Sequence, residues 1–137
     1  PGGKAEAVEM SNTNGAALEK AGAVVGFHTD DGITDSRLFL RNAAFAVRAG
    51  MSREKAIEAL TIVGAQMLEL QGRVGSLEIG KDADFVVLSG EPFSVYTRVE
   101  QTWVEGQKRF DLADPKDKKF AVGGYNTYNS EVHHHAH

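Results

Sequence analysis

The 137-residue chain contains no cysteine, so disulfides and thiolate metal sites are excluded, and cysteine usage leaves the compartment open. It has only 3 prolines and 1 tryptophan. No apolar run approaches the roughly 18 residues of a bilayer span, so a membrane protein is not expected. Cationic excess is also missing. With 15 Lys and Arg against 19 Asp and Glu the formal charge is −4, which argues against nucleic acid as a partner. Histidine is scarce outside the last five residues, where His28 stands alone. The start, Pro1-Gly2-Gly3-Lys4, carries neither an initiator Met nor a signal-like apolar stretch, which suggests a processed or excised chain. What remains is 42% hydrophobic and 25% charged, the balance of a soluble globular domain.

The patterning is helical first and extended later. Ser11-Asn12-Thr13-Asn14 offers capping side chains, Ala16 to Ala21 are helix formers and Gly22 is a stop, so a short helix is expected at 13–21. Ala23-Val24-Val25-Gly26-Phe27-His28 reads as one buried strand. Leu38, Phe39, Leu40, Ala43, Ala44, Val47 and Met51 predict a helix over 36–49 with Asp35 or Ser36 as its cap. Ser52 caps a third helix, with Glu54 in its first turn, a possible break near Thr61 and Gly64, and an end near Leu70-Gln71-Gly72. After Gly72 the texture is all-β. Asp84–Leu88 and Val99–Val104 read as strands, and Glu105-Gly106-Gln107 as a tight turn into Lys108-Arg109-Phe110. Asp114 to Lys119 reads as a solvated charge cluster, and the end as an extended or disordered tail. Trp103 is expected to fill a core, with Val8, Met10 and Leu18 similarly structural.

The chemistry-bearing residues gather where the first strand ends, at His28-Thr29-Asp30-Asp31. In parallel β/α folds ligands bind at the carboxyl ends of strands, and an Asp there can bind a hard or borderline metal or serve as general base. The same residue type also caps strand-to-helix turns for purely structural reasons. His28 suits a metal ligand or a supporting donor, or a ring packed in a pocket. Arg37 could hold an anionic substrate or pair with Asp35. The His133–His137 cluster can take up transition metals but lacks the fixed geometry of a catalytic site.

Four stretches together carry a resemblance: Val25–Asp31, Arg53–Thr61, Gly64-Ala65 and Arg73–Leu88. Over about residues 10–110 the chain resembles the C-terminal portion of metal-dependent amidohydrolases, most of all the imidazolonepropionase-like branch. Gly75-Ser76-Leu77-Glu78-Ile79-Gly80-Lys81-Asp82-Ala83-Asp84 is its most specific segment, and Val104-Glu105-Gly106 looks like the closing strand-turn. The resemblance implies an α/β fold in which terminal βα units of a TIM (β/α)8 barrel are followed by strands of a small β-sandwich. Residues 1–72 would belong to the barrel, 73–112 to the composite sandwich, and 113–137 to a polar, His-rich tail. Within the barrel, 23–28 would be the eighth strand, 36–49 the eighth helix and 52–70 the linking helices. It further implies that Asp30 is a metal ligand and general base, with Asp31 the second candidate and His28, Asp31 and Arg37 as substrate or supporting residues. The implied cofactor is a divalent metal, zinc being the family's usual occupant.

The family's His-x-His pair, its bridging Lys or carboxylate and its two later histidines have no counterpart in this chain. A complete barrel takes roughly 250 residues. The expectation is therefore a fragment that hydrolyses amide or cyclic amide C–N bonds of a small molecule only with the missing barrel half. Its partner would be the N-terminal portion of the same amidohydrolase or another copy of the chain, which would also supply the remaining metal ligands. The competing expectation is a non-catalytic binding or assembly module that oligomerises through exposed edges. A metal chelator acting through the His-rich tail ranks last.

Overall fold

The computed structural model describes residues 13–31 and 35–122. Helix α1 spans Asn14–Lys20 and ends at Gly22, whose φ of 77° is the left-handed stop that the sequence suggested. A 3-10 turn at Ser36–Leu38 leads into α2, Phe39–Arg48. Asp35 caps that turn, its carboxylate accepting the Arg37 N–H at 2.9 Å. Helix α3 covers Arg53–Leu60, with Ser52 Oγ accepting the Lys55 N–H at 3.3 Å. Helix α4 covers Ile62–Met67, and Thr61 is the break between the two. The third helical stretch thus stops short of Leu70. Leu68 ends it, and Glu69 follows in the left-handed region with φ 59°.

The core of this half is shallow. Ala43, Ala46, Met51, Ala56 and Ala59 are buried where α2 and α3 cross, and Ala16, Val25, Phe27, Val47, Leu60 and Phe93 pack around them. Four of those five buried residues are alanine, which lets the helix backbones approach closely but buries little apolar area per residue. Glu19 reaches across from α1, its carboxylate accepting the Ser52 N–H at 2.7 Å, and hydrogen bonding to the Ser52 side chain and then to its N–H draws the Glu19 carboxyl below its ordinary range.

Residues 71–84 run as turns rather than in regular structure. Then β1 (Phe85–Leu88), β2 (Val99–Val104) and β3 (Gln107–Asp111) form an antiparallel sheet in the order β1-β2-β3. Phe85 sits opposite Trp103 and their rings stack at 5.6 Å, so Trp103 packs on the sheet face, half-buried. Glu105 and Gly106 have φ of 51° and 72°, the pair of positive values that a two-residue hairpin turn of matching twist requires. Arg53 ties the halves together. It pairs with Glu91 at 2.7 Å and lies over the Phe93 ring at 5.6 Å.

One expectation is corrected. Residues 23–28 form no strand, because a strand needs a ladder and no neighbour among the described residues offers one; the segment runs over the helices without regular structure, and Val24 is 71% exposed. The charge cluster is mostly exposed, as a solvated cluster should be, and within it Pro115–Val122 forms a helix, α5. Pro115 takes the first helical position, where its missing N–H costs nothing, and Asp114 accepts the Lys116 N–H at 2.8 Å. The readings of Val8, Met10 and the His133–His137 cluster lie outside the described residues. No helix among the described residues is long and apolar enough to cross a membrane.

Candidate active site

The segment leading to the acidic cluster is held on one side only. Val25 and Phe27 turn toward the alanine core, and the Phe27 N–H donates to the Ala59 carbonyl at 3.1 Å. Gly26 lies so close to α4 that a Cβ there would sit 3.1 Å from Met67 Sδ. Val24, His28 and Asp30, at alternate positions along the same stretch, are all exposed. The helices therefore take up Val25, Gly26 and Phe27, and His28 and Asp30 beyond them are exposed.

The three neighbouring carboxylates have different employment. Asp31 accepts the Ser36 N–H at 3.3 Å, tying the cluster to the start of the helical stretch. Asp35 caps the 3-10 turn and also receives the Arg37 Nε at 2.9 and 3.0 Å. With Arg37 against it, the Asp35 carboxyl titrates at about 2 instead of 3.8. Asp30 differs from both. Its carboxylate bonds to no described residue, and its backbone sits at φ 54°. A non-glycine residue there is uncommon, although Asp is one of the few that tolerate it, and such conformations concentrate at functional sites.

Arg37 is thus paired with Asp35, and it also lines a shallow cleft with Leu40, Arg41 and Phe93. His28 makes no hydrogen bond to a described residue. The candidate site residues His28, Asp30, Asp31 and Arg37 fall into one short stretch, and among the described residues Asp30 is its carboxylate without a bond. Two supporting features were not singled out from the sequence. The Phe27–Ala59 bond has no signature in residue type, because it joins two backbones. The Glu19–Ser52 bond spans 33 positions, and nothing local marks it.

No three His, Cys, Asp or Glu side chains among the described residues are grouped so as to hold a metal ion. Asp30 offers one oxygen donor of the kind a divalent ion takes. A complete coordination shell would need ligands from beyond the described residues.

Comparison with known proteins gives a consistent picture. Residues 2–110 match a family model described as "Amidohydrolase family". The chain is similar to an imidazolonepropionase from Syntrophobacter fumaroxidans, 43% identical over 58 residues, covering 42% of this chain and 13% of that protein. It is similar to amidohydrolase tasK from Hapsidospora irregularis, 28% identical over 79% of this chain and 11% of that one. In three dimensions it superimposes on the crystal structure of an amidohydrolase from Thermotoga maritima MSB8 with TM-score 0.76 and 34% identity, covering 80% of this chain and 28% of that one. The chain thus spans less than a third of each of these proteins.

Proposed function

The chain belongs to the amidohydrolase family, and from that premise we propose that it is the C-terminal portion of a metal-dependent enzyme that hydrolyses amide or cyclic amide C–N bonds in small molecules. Residues 23–31 and 36–49 are then the last βα unit of a (β/α)8 barrel, and 52–70 link it to residues 73–112, a share of a composite β-sandwich. Polypeptide carrying the other barrel strands, the N-terminal portion of the same protein, completes both domains. It also supplies the remaining metal ligands and most of the substrate pocket.

The observation that carries this reading is the division of labour among the acids. Asp31 and Asp35 are spent on backbone amides, whereas the Asp30 carboxylate bonds to no described residue and its backbone is left-handed, at the end of the segment held on the helices. A divalent ion such as zinc, when bound, supplies a Lewis acid that polarises the scissile carbonyl and acidifies water. Asp30 is the residue of this chain that would hold it. In hydrolysis the Asp30 carboxylate takes one proton from the attacking water. The water oxygen bonds to the carbonyl carbon, the C–N bond breaks, and the proton passes to the leaving nitrogen. His28 and Asp31 flank that carboxylate, and Arg37 fixes the start of the following helix through Asp35.

The test compares the chain alone, with residues 133–137 removed, and the chain joined to the polypeptide that supplies the other strands. Metal content, native mass and hydrolysis of a panel of cyclic amides and dipeptides are measured. The chain alone is expected to bind no stoichiometric metal and hydrolyse nothing. The completed protein is expected to do both, and Asp30→Asn to lose at least about 10²-fold in kcat. Stoichiometric metal with hydrolysis by the chain alone, or full activity in Asp30→Asn, refutes the proposal. A stable inactive homo-oligomer of the chain would favour an assembly module instead.

A further inference from the structure

We infer that Thr61 is a positioning residue for Asp30: its break between α3 and α4 frees the Ala59 carbonyl, and that carbonyl holds the segment that ends in Asp30. The inference rests on the role given to Asp30 above and adds how the fold aims it.

Residues 53–67 contain no proline, so no ring forces the helix to end between them, and the interruption falls at Thr61. In an unbroken helix the Ala59 carbonyl accepts the N–H four residues on, at Val63. Thr61 prevents this by leaving the helical region, at φ −131° and ψ −96°. Its own groups close the end of α3. Oγ1 donates to the Ile57 carbonyl at 2.7 Å, and the N–H donates to the Glu58 carbonyl at 3.1 Å. Ala59 is next in line and only 2% exposed, so its carbonyl needs a partner from within the protein. That partner is the Phe27 N–H.

The bond matters because the segment has few others. Between Val24 and Asp30 it is the single backbone hydrogen bond to described residues. Asp30 is held between this anchor, three residues before it, and the Asp31–Ser36 bond immediately after it. The close seat of Gly26 against Met67 and Val63 braces the first anchor from the side. Losing the anchor lets the carboxylate drift, and a displacement of about 1 Å at a reacting group can cost about 10²-fold in rate.

The experiment reads two quantities: hydrogen exchange at the Phe27 amide, and kcat and KM of the completed protein on the panel of cyclic amides and dipeptides. Thr61→Ala, which lets the helix run through, is expected to speed Phe27 exchange by about 10-fold or more. The same variant should lower kcat by about 10²-fold with KM nearly unchanged. Thr61→Ser, which keeps the hydroxyl, should restore both. Gly26→Ala is the second route. Its Cβ meets Met67 Sδ, and it should give the same signature with Thr61 intact, relieved in the Gly26→Ala/Met67→Ala pair. Unchanged exchange in Thr61→Ala overturns the inference. So does raised exchange without loss of kcat, or a Thr61→Ser variant as impaired as Thr61→Ala. An unaltered protein that hydrolyses nothing in the panel refutes the hydrolase reading instead, and Phe27 exchange then decides on its own whether Thr61 anchors the segment.

Discussion

Replacing Gly75 by alanine should destabilise the protein far more than the same change at the other glycines around it. Gly75 sits at φ 91°, and a Cβ there would lie 2.7 Å from the Ala65 Cβ and 3.0 Å from the Ile62 Cα. Those neighbours belong to the backbone side of α4, so no flexible side-chain end can swing aside. The left-handed backbone costs an L-residue about 1–2 kcal/mol. Overpacking against a rigid neighbour adds about 1–3 kcal/mol. The stiffer unfolded chain returns somewhat under 1 kcal/mol. The net expectation is a loss of about 1–4 kcal/mol, a sizeable share of the roughly 5–15 kcal/mol that holds an ordinary domain together. Gly80 is the control for backbone strain alone, with φ 94° and nothing within 4 Å of the added Cβ. Its alanine variant should lose only about 1 kcal/mol. Gly64, inside α4 with open space around it, should gain about 0.5–1 kcal/mol. Urea unfolding followed by far-ultraviolet circular dichroism and Trp103 fluorescence measures all three. Equal losses at Gly75 and Gly80 would show that the turn does not sit against α4, and the placement of residues 71–84 would be wrong.

Three further outcomes are expected. Asp30→Gly relieves a left-handed backbone and should stabilise by about 0.5–1 kcal/mol in the same unfolding assay, whereas Asp30→Asn, which tolerates that region, should stay within about 0.5 kcal/mol. A loss of stability in Asp30→Gly would mean that its carboxylate is bonded after all. Ser52→Ala removes the cap of α3 and should cost about 1 kcal/mol by thermal melting. Acid should weaken the start of α2. The Asp35 carboxyl titrates at about 2 when folded and near 3.8 otherwise, so its contribution is present above pH 3.8 and is lost as the pH falls toward 2. Asp35→Asn should flatten the stability profile in that window, and an unchanged slope between pH 4 and 2 would refute the pairing with Arg37.

What the sequence made legible was whatever local chemistry decides. The helix through Leu38–Val47, the Ser52 cap, the break at Thr61 and the Glu105-Gly106 turn all follow from residue type and spacing, and all stand in the structure. The failure at residues 23–28 has its cause in context. Their side chains are strand-forming, but a strand is defined by its neighbours, and among the described residues the segment's backbone finds only the Leu18 and Ala59 carbonyls. Residues 115–122 are solvated, as their polar composition indicates, but the helix they form went unread; its signal was positional, an Asp followed by a Pro at the first helical site. The site was legible as a stretch and not as a residue. Asp30 and Asp31 are chemically alike, and only the backbone angle of one and the Ser36 bond of the other separate them.

The apolar surface and the candidate site belong to the same physical question. The buried core is mostly alanine, while Val24, Leu68 and Leu77 are at least 70% exposed. Apolar area left in water contributes nothing to stability, and a chain with so small a core gains most by covering it. Val24, like His28 and Asp30, is exposed, while Val25 and Phe27 press onto the helices. Under the proposed reading one event meets both needs. Polypeptide that pairs with residues 23–28 would give this backbone a ladder, cover Val24, and bring its own side chains over Asp30. Stability and activity would then rise together on adding that polypeptide. An assembly module would instead gain stability from a second copy of itself and acquire no hydrolysis.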